Sequence, residues 1–192
     1  MTRNRRGFTL LEMLIAIAVL GILSGVTIFS TLDMVATADA QKIINDMVQI
    51  KTAVLMWYKD NSSRVTSSYQ IKTNGKTQAF SALGKEILKY IDNKTSMTLS
   101  TASNTGDYAL IATDNARKWY VCCNLGSPDS AFTDNPSQWK GEEAPDARVR
   151  NKITGMVKKF GLFGKDALNT NSVNDVYTGQ KFVYMLIIDF NK

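Results

Sequence analysis

No histidine occurs anywhere in the 192 residues. The commonest general base and the commonest metal ligand are therefore missing, which weighs against hydrolase and zinc chemistry. Cysteine is nearly absent as well. The two present, Cys122 and Cys123, are neighbours, so no disulfide framework can be read. Adjacent Cα atoms lie ~3.8 Å apart, below the ~4.4–6.8 Å that a disulfide usually spans. On a strand, neighbouring side chains point to opposite faces, which predicts one core cysteine and one facing out. Ser-His-Asp, Cys-His, Walker and dinucleotide motifs are also lacking. Enzyme is the weakest class for this chain.

Charge is missing from residues 13–32, a run of twenty. As α-helix that run spans ~30 Å, the thickness of a bilayer's hydrocarbon core. Arg3, Arg5 and Arg6 lie just before it and supply half of the formal charge of +6. A basic N-terminal flank predicts that this end stays in the cytoplasm while the polar remainder is translocated. The small net charge left on the remainder does not by itself imply nucleic acid.

One carboxylate interrupts the pattern. Glu12 stands between the arginines and the uncharged run, preceded by Phe8, Leu10 and Leu11. A carboxylate at the edge of a membrane span is costly and marks function by default, although at headgroup depth it can simply be solvated.

The string Gly7-Phe8-Thr9-Leu10-Leu11-Glu12-Met13-Leu14 resembles the N-terminal signature of type IV prepilins and of the pseudopilins of type II secretion systems. Shared features are a short basic leader ending in Gly7, an aromatic Phe8, Glu12 four residues later and an unbroken apolar helix. The match covers about residues 1–32 and says nothing specific about residues 62–192. The resemblance implies cleavage between Gly7 and Phe8 by a prepilin peptidase and methylation of the new Phe8 amine. It implies Phe8 and Glu12 as assembly residues, the carboxylate of an incoming subunit pairing with the amine of one already in place. The implied partners are further copies and other pilin subunits, inner-membrane assembly machinery, and the lipid bilayer before assembly. The implied location is the bacterial inner membrane, then an extracytoplasmic pilus or pseudopilus. Many pilins carry a proline near the position of Phe29; this span has none, which leaves Gly21 and Gly25 as candidate helix-melting points.

Two rivals remain. A secretory signal cut at Ala36-Thr37-Ala38 would need an apolar run shorter than twenty residues and has no place for Glu12. A signal-anchored extracytoplasmic binding domain that never polymerises has no use for Glu12 either.

Beyond Asp33 the chain is polar but periodic. Ala36, Ala40, Ile43, Met47, Ile50, Val54 and Trp57 recur in steps of four and three, one apolar stripe on a helix. No proline or glycine interrupts residues 26–74, so one helix from Phe8 to about Asp60, ~80 Å long, is expected. The stripe suits packing on the chain's own head, or alternatively a coiled-coil seam.

Asn74-Gly75 marks a turn, and Phe80, Leu83, Ile87, Leu88 and Ile91 predict a short helix. Strands are expected at 97–100, 108–112, 118–124 and 181–189, with Asp114-Asn115-Ala116 turning the second into the third. A further helix is expected over 144–160, carrying Val149, Ile153, Met156, Val157 and Phe160 and ending at Gly161. The expected fold is α+β, a long N-terminal helix packed on a small antiparallel sheet. Its divisions are a leader (1–7), an apolar helix (8–32) and a head (33–192).

Two further clusters carry possible chemistry. Arg148, Arg150, Lys152, Lys158, Lys159 and Lys165 form a candidate anion-binding patch that would suit DNA phosphates, against the plainer reading of a solvated face. Asp129, Asp134, Asn135, Glu142, Glu143 and Asp146 supply oxygen ligands in a long loop, but their spacing matches no calcium pattern, so no metal or cofactor is expected. Trp57, Tyr58, Trp119, Tyr120 and Trp139 read as core and rim aromatics.

Overall fold

The computed structural model describes residues 8–73, 76–78, 80–91, 108–125, 147–166 and 172–191. Helix α1, Leu10–Asp60, is 51 residues long and unbroken. Thr9 caps its start, and Asn61 ends it by turning both its backbone N–H and its side-chain amide onto the Trp57 carbonyl, at 2.9 and 3.0 Å. The predicted stripe is the buried face: Ala36, Ala40, Ile43, Met47, Ile50, Val54 and Trp57 all lie in the core. Within the single chain they pack on the head, so no second helix is needed to cover them.

Four strands form the antiparallel sheet on which α1 packs. They are β3 (Tyr108–Thr113), β4 (Lys118–Asn124), β5 (Leu162–Lys165) and β6 (Phe182–Asp189), in the order β3-β4-β6-β5. The β3–β4 turn falls where expected. Asp114, Asn115 and Ala116 all take left-handed φ, and the turn is closed by Arg117 N–H on the Asp114 carbonyl at 3.1 Å. Earlier in the chain, β1 (Ile71–Thr73) and β2 (Lys76–Gln78) form a separate small hairpin. Phe80–Leu83 and Leu88–Tyr90 are 3-10 turns flanking α2 (Gly84–Ile87), so the expected short helix is a broken one.

The expected helix over 144–160 is two helices, α3 (Ala147–Thr154) and α4 (Val157–Phe160), parted at Gly155. Gly161, at φ 61, ends α4 in the left-handed conformation that glycine takes without strain, its N–H on the Val157 carbonyl at 2.8 Å.

Two strand pairings lay outside the sequence expectations. β1 and β2 are three residues each, too short to show an alternation. In β5, Gly164 breaks the apolar pattern for a steric reason. A Cβ there would stand 2.1 Å from Gln180 Oε1 and 2.9 Å from Tyr177 Cδ2, so the segment that follows could not lie against the strand.

The cysteine expectation is corrected. Both thiols are free and buried, and neither faces out. Cys123 joins the core beneath α1. Cys122 sits on the other face, in a second apolar cluster with Ala109, Ile111, Tyr120, Val173, Phe182 and Tyr184. The alternation of faces held, but the sheet is covered on both sides. Burial pushes the Cys122 thiol well above its ordinary pKa. The strand expected at 97–100, the Asn74-Gly75 turn and Trp139 lie outside the described residues.

Candidate functional site

The N-terminal motif forms a closed local arrangement. Thr9 and Glu12 make a reciprocal capping box at the head of α1. Glu12 Oε2 accepts from the Thr9 backbone N–H and from the Thr9 hydroxyl, each at 2.8 Å, and the Glu12 N–H donates to Thr9 Oγ1 at 3.2 Å. Both bonds to the carboxylate fall on Oε2; among the described residues Oε1 accepts none. Phe8 lies outside the helix and is exposed. The sequence reading missed Thr9, although Thr-x-x-Glu before an apolar run is a legible helix start. Gly7 lies outside the described residues.

Past the cap, α1 runs through Gly21 and Gly25 without a break, and a Cβ added at either would meet open space. Ser24, Thr27 and Thr31 turn their hydroxyls back onto carbonyls of the preceding turn at 2.6–2.8 Å, so these three hydroxyls are satisfied within the helix. An 18-residue window of α1 has mean hydropathy 2.4 and none of it is buried by the chain.

Three polar ties fix the head to the upper helix. Asp46, nearly fully buried, accepts from Tyr108 Oη at 3.0 Å, holding the start of β3 against α1. At the top, Glu86 takes Arg64 as a bidentate partner at 2.8 and 3.2 Å, and Trp57 Nε1 at 3.0 Å. The Arg64 guanidinium holds the Glu86 carboxyl below its ordinary pKa. At the bottom, Lys152 Nζ meets Asp33 at 2.8 Å, so α3 lies beside the end of the uncharged run.

The basic patch is only partly assembled. Lys152 is paired with Asp33 and Lys165 with Asp175. Arg150 is half-buried, whereas Arg148, Lys158 and Lys159 are exposed. The acidic loop residues Asp129, Asp134, Asn135, Glu142, Glu143 and Asp146 lie outside the described residues. Trp57, Trp119 and Tyr120 are buried, and Tyr58 packs edge-on against Trp119 at 5.8 Å between centroids.

An exposed apolar helix start with a capped carboxylate continues as the spine of an α+β head. Residues 2–28 match the family model described as the prokaryotic N-terminal methylation motif. The chain is 35% identical over 65 residues to the type II secretion system core protein G of Klebsiella michiganensis, covering 34% of this chain and 46% of that protein. The core protein G of Vibrio cholerae is 38% identical over 60 residues, 31% of this chain and 41% of that one. A fimbrial protein of Pseudomonas aeruginosa is 26% identical over 148 residues, covering 74% and 96%. The solved major type IV pilin PilA1 from Clostridium difficile covers 82% of this chain and 99% of that one, at 17% identity and TM-score 0.45. The chain thus spans about half the length of the core G proteins it matches.

Proposed function

We propose that the chain is a structural subunit, not an enzyme, of a type IV pilus or a type II secretion pseudopilus, inserted in the membrane before it assembles. The observation that carries this is the exposed lower half of α1. Thirteen large apolar side chains between Phe8 and Leu32 are at least two-fifths exposed. At ~1.5–3 kcal/mol for taking one such side chain from full exposure to full burial, covering these partly exposed ones is worth on the order of 10–25 kcal/mol. Among the described residues nothing in the head covers them, so in this reading lipid does so first and the helices of other copies later.

In this reading a prepilin peptidase cuts between Gly7 and Phe8, the Phe8 amine is methylated, and residues 8–32 become the filament-core helix beneath the 33–192 head. The basic leader keeps the N-terminus in the cytoplasm until then. The Glu12 carboxylate, already oriented by Thr9 through one oxygen, has its second oxygen for the Phe8 amine of an adjacent subunit. A buried amine and a buried carboxylate each require the other. Gly21 and Gly25 are where the helix would open if the filament stretches it.

The cap and the ion pair are separable by one substitution. Glu12→Gln keeps the reach-back hydrogen bond of a capping box but removes the charge. The variant should be inserted and cleaved normally yet largely fail to enter filaments, read as sheared filament protein against total mature membrane protein. Filaments in normal amount would show that Glu12 serves only as a cap, and would favour the signal-anchored monomer.

A further inference from the structure

Residues 147–165 contain six cations and no carboxylate. The Lys152–Asp33 ion pair fixes where this stretch lies relative to the apolar span. Asp33 is the first charge after the uncharged run, and Ala36 is the first buried residue of the stripe. If residues 13–32 fill the ~30 Å hydrocarbon core, Asp33 stands at its edge, and the headgroup layer extends a further ~5–8 Å. Val149 and Ile153, four apart, are the buried face of α3, which leaves Arg148 and Asn151 exposed on its outer side.

The chain stays coiled beyond α3, with Gly155 and Met156 N–H groups on the carbonyls of Lys152 and Ile153. Lys158 and Lys159, on α4, follow Lys152 by six and seven residues. Both are exposed, and neither has an ion pair among the described residues. A surface cation within a Debye length, ~8 Å, of anionic headgroups is drawn to them.

We propose that the α3–α4 basic face, through Lys158 and Lys159 beside the Lys152–Asp33 anchor, docks the head on anionic phospholipid headgroups of the leaflet from which it emerges. This rests on the membrane-inserted reading above. Charge complementarity and continuity with the span select a lipid surface over a nucleic acid. The contact holds the head down on the membrane before assembly, and extraction of the subunit breaks it.

The test uses the full chain in vesicles of phosphatidylcholine, alone or mixed with phosphatidylglycerol. Asn151→Cys places a donor dye on the exposed side of α3, where the buried native cysteines do not compete, and the acceptor is on lipid headgroups. Energy transfer should be higher in the anionic vesicles and should fall with added salt. Lys158→Gln with Lys159→Gln should lower the docked population by about fivefold per cation removed. Equal transfer in both vesicles, or in the variant and its parent, overturns the proposal. Lysine-dependent binding of duplex DNA with no response to phosphatidylglycerol would reassign the face to nucleic acid. Alkaline carbonate extraction separates the two layers of the argument. If the chain is extracted, the membrane reading fails; if it stays inserted without a lipid response, only this inference does.

Discussion

The two halves of α1 obey the same backbone rules and have opposite fates. From Leu10 to Leu32 no described residue of the head covers the helix; Leu10 is 84% exposed and Ile22 70%. From Ala36 to Trp57 one face is sealed under the sheet, with Ala40, Met47, Ile50 and Val54 at 0%. The lower half is apolar all round and asks for a surrounding of equal symmetry, lipid or a ring of other helices. The upper half is apolar on one stripe and asks for a single partner, which the chain itself provides. In the proposed filament reading, folding of the head and assembly draw on separate surfaces of one continuous element.

Core truncation gives the widest separation of the halves. Trp57→Ala removes the indole from the top of the stripe together with its bond to Glu86, and should cost about 3–5 kcal/mol in denaturant unfolding of the detergent-solubilised chain. Leu14→Ala, in the uncovered half, should leave that unfolding curve unmoved. A comparable loss at Leu14 would show that the lower half belongs to the cooperative unit of the head.

Acid should weaken the upper half before the lower. The Glu86 carboxyl has a folded-state pKa lowered chiefly by its Arg64 hydrogen bonds. Its stabilising contribution is present above the ordinary carboxylate value and is lost as pH falls through the lower folded one. Head stability should decline over that interval, and Glu86→Gln should flatten this part of the profile while lowering stability at neutral pH. An unchanged slope in Glu86→Gln would assign acid sensitivity elsewhere, Asp46 being the next carboxylate to test.

The junction between the halves gives the smallest effect. Lys152 and Asp33 are substantially exposed, and such pairs contribute ~0–1 kcal/mol. Lys152→Ala should shift unfolding by no more than that. A larger loss would mean that α3 depends on the pair for its docking and not on Val149 and Ile153.

How much was legible follows from the range of each signal. The long helix, its stripe, β4 and the β3–β4 turn rest on local periodicity and turn chemistry, and each fell where those predict. β1, β2 and β5 did not show, being three or four residues long with no alternation to read. Gly164 is in β5 because Tyr177 and Gln180 press against it, contacts thirteen and sixteen residues distant in the chain. Thr9 is legible as a capping residue, because Thr-x-x-Glu ahead of an apolar run is a local pattern. Asp46 gave no signal at all; a carboxylate on an amphipathic helix is ordinary until Tyr108 is placed above it.

The sequence by itself determined the apolar span, the prepilin-type motif and the buried stripe, because each is a pattern along the chain whose period or order carries the physics. Only the tertiary structure decided that both faces of the sheet are covered, that Cys122 is as enclosed as Cys123, and that Lys152 reaches back 119 residues to Asp33. Those facts depend on which distant segments share a boundary. Periodicity states that a face must be hidden; it does not state what hides it.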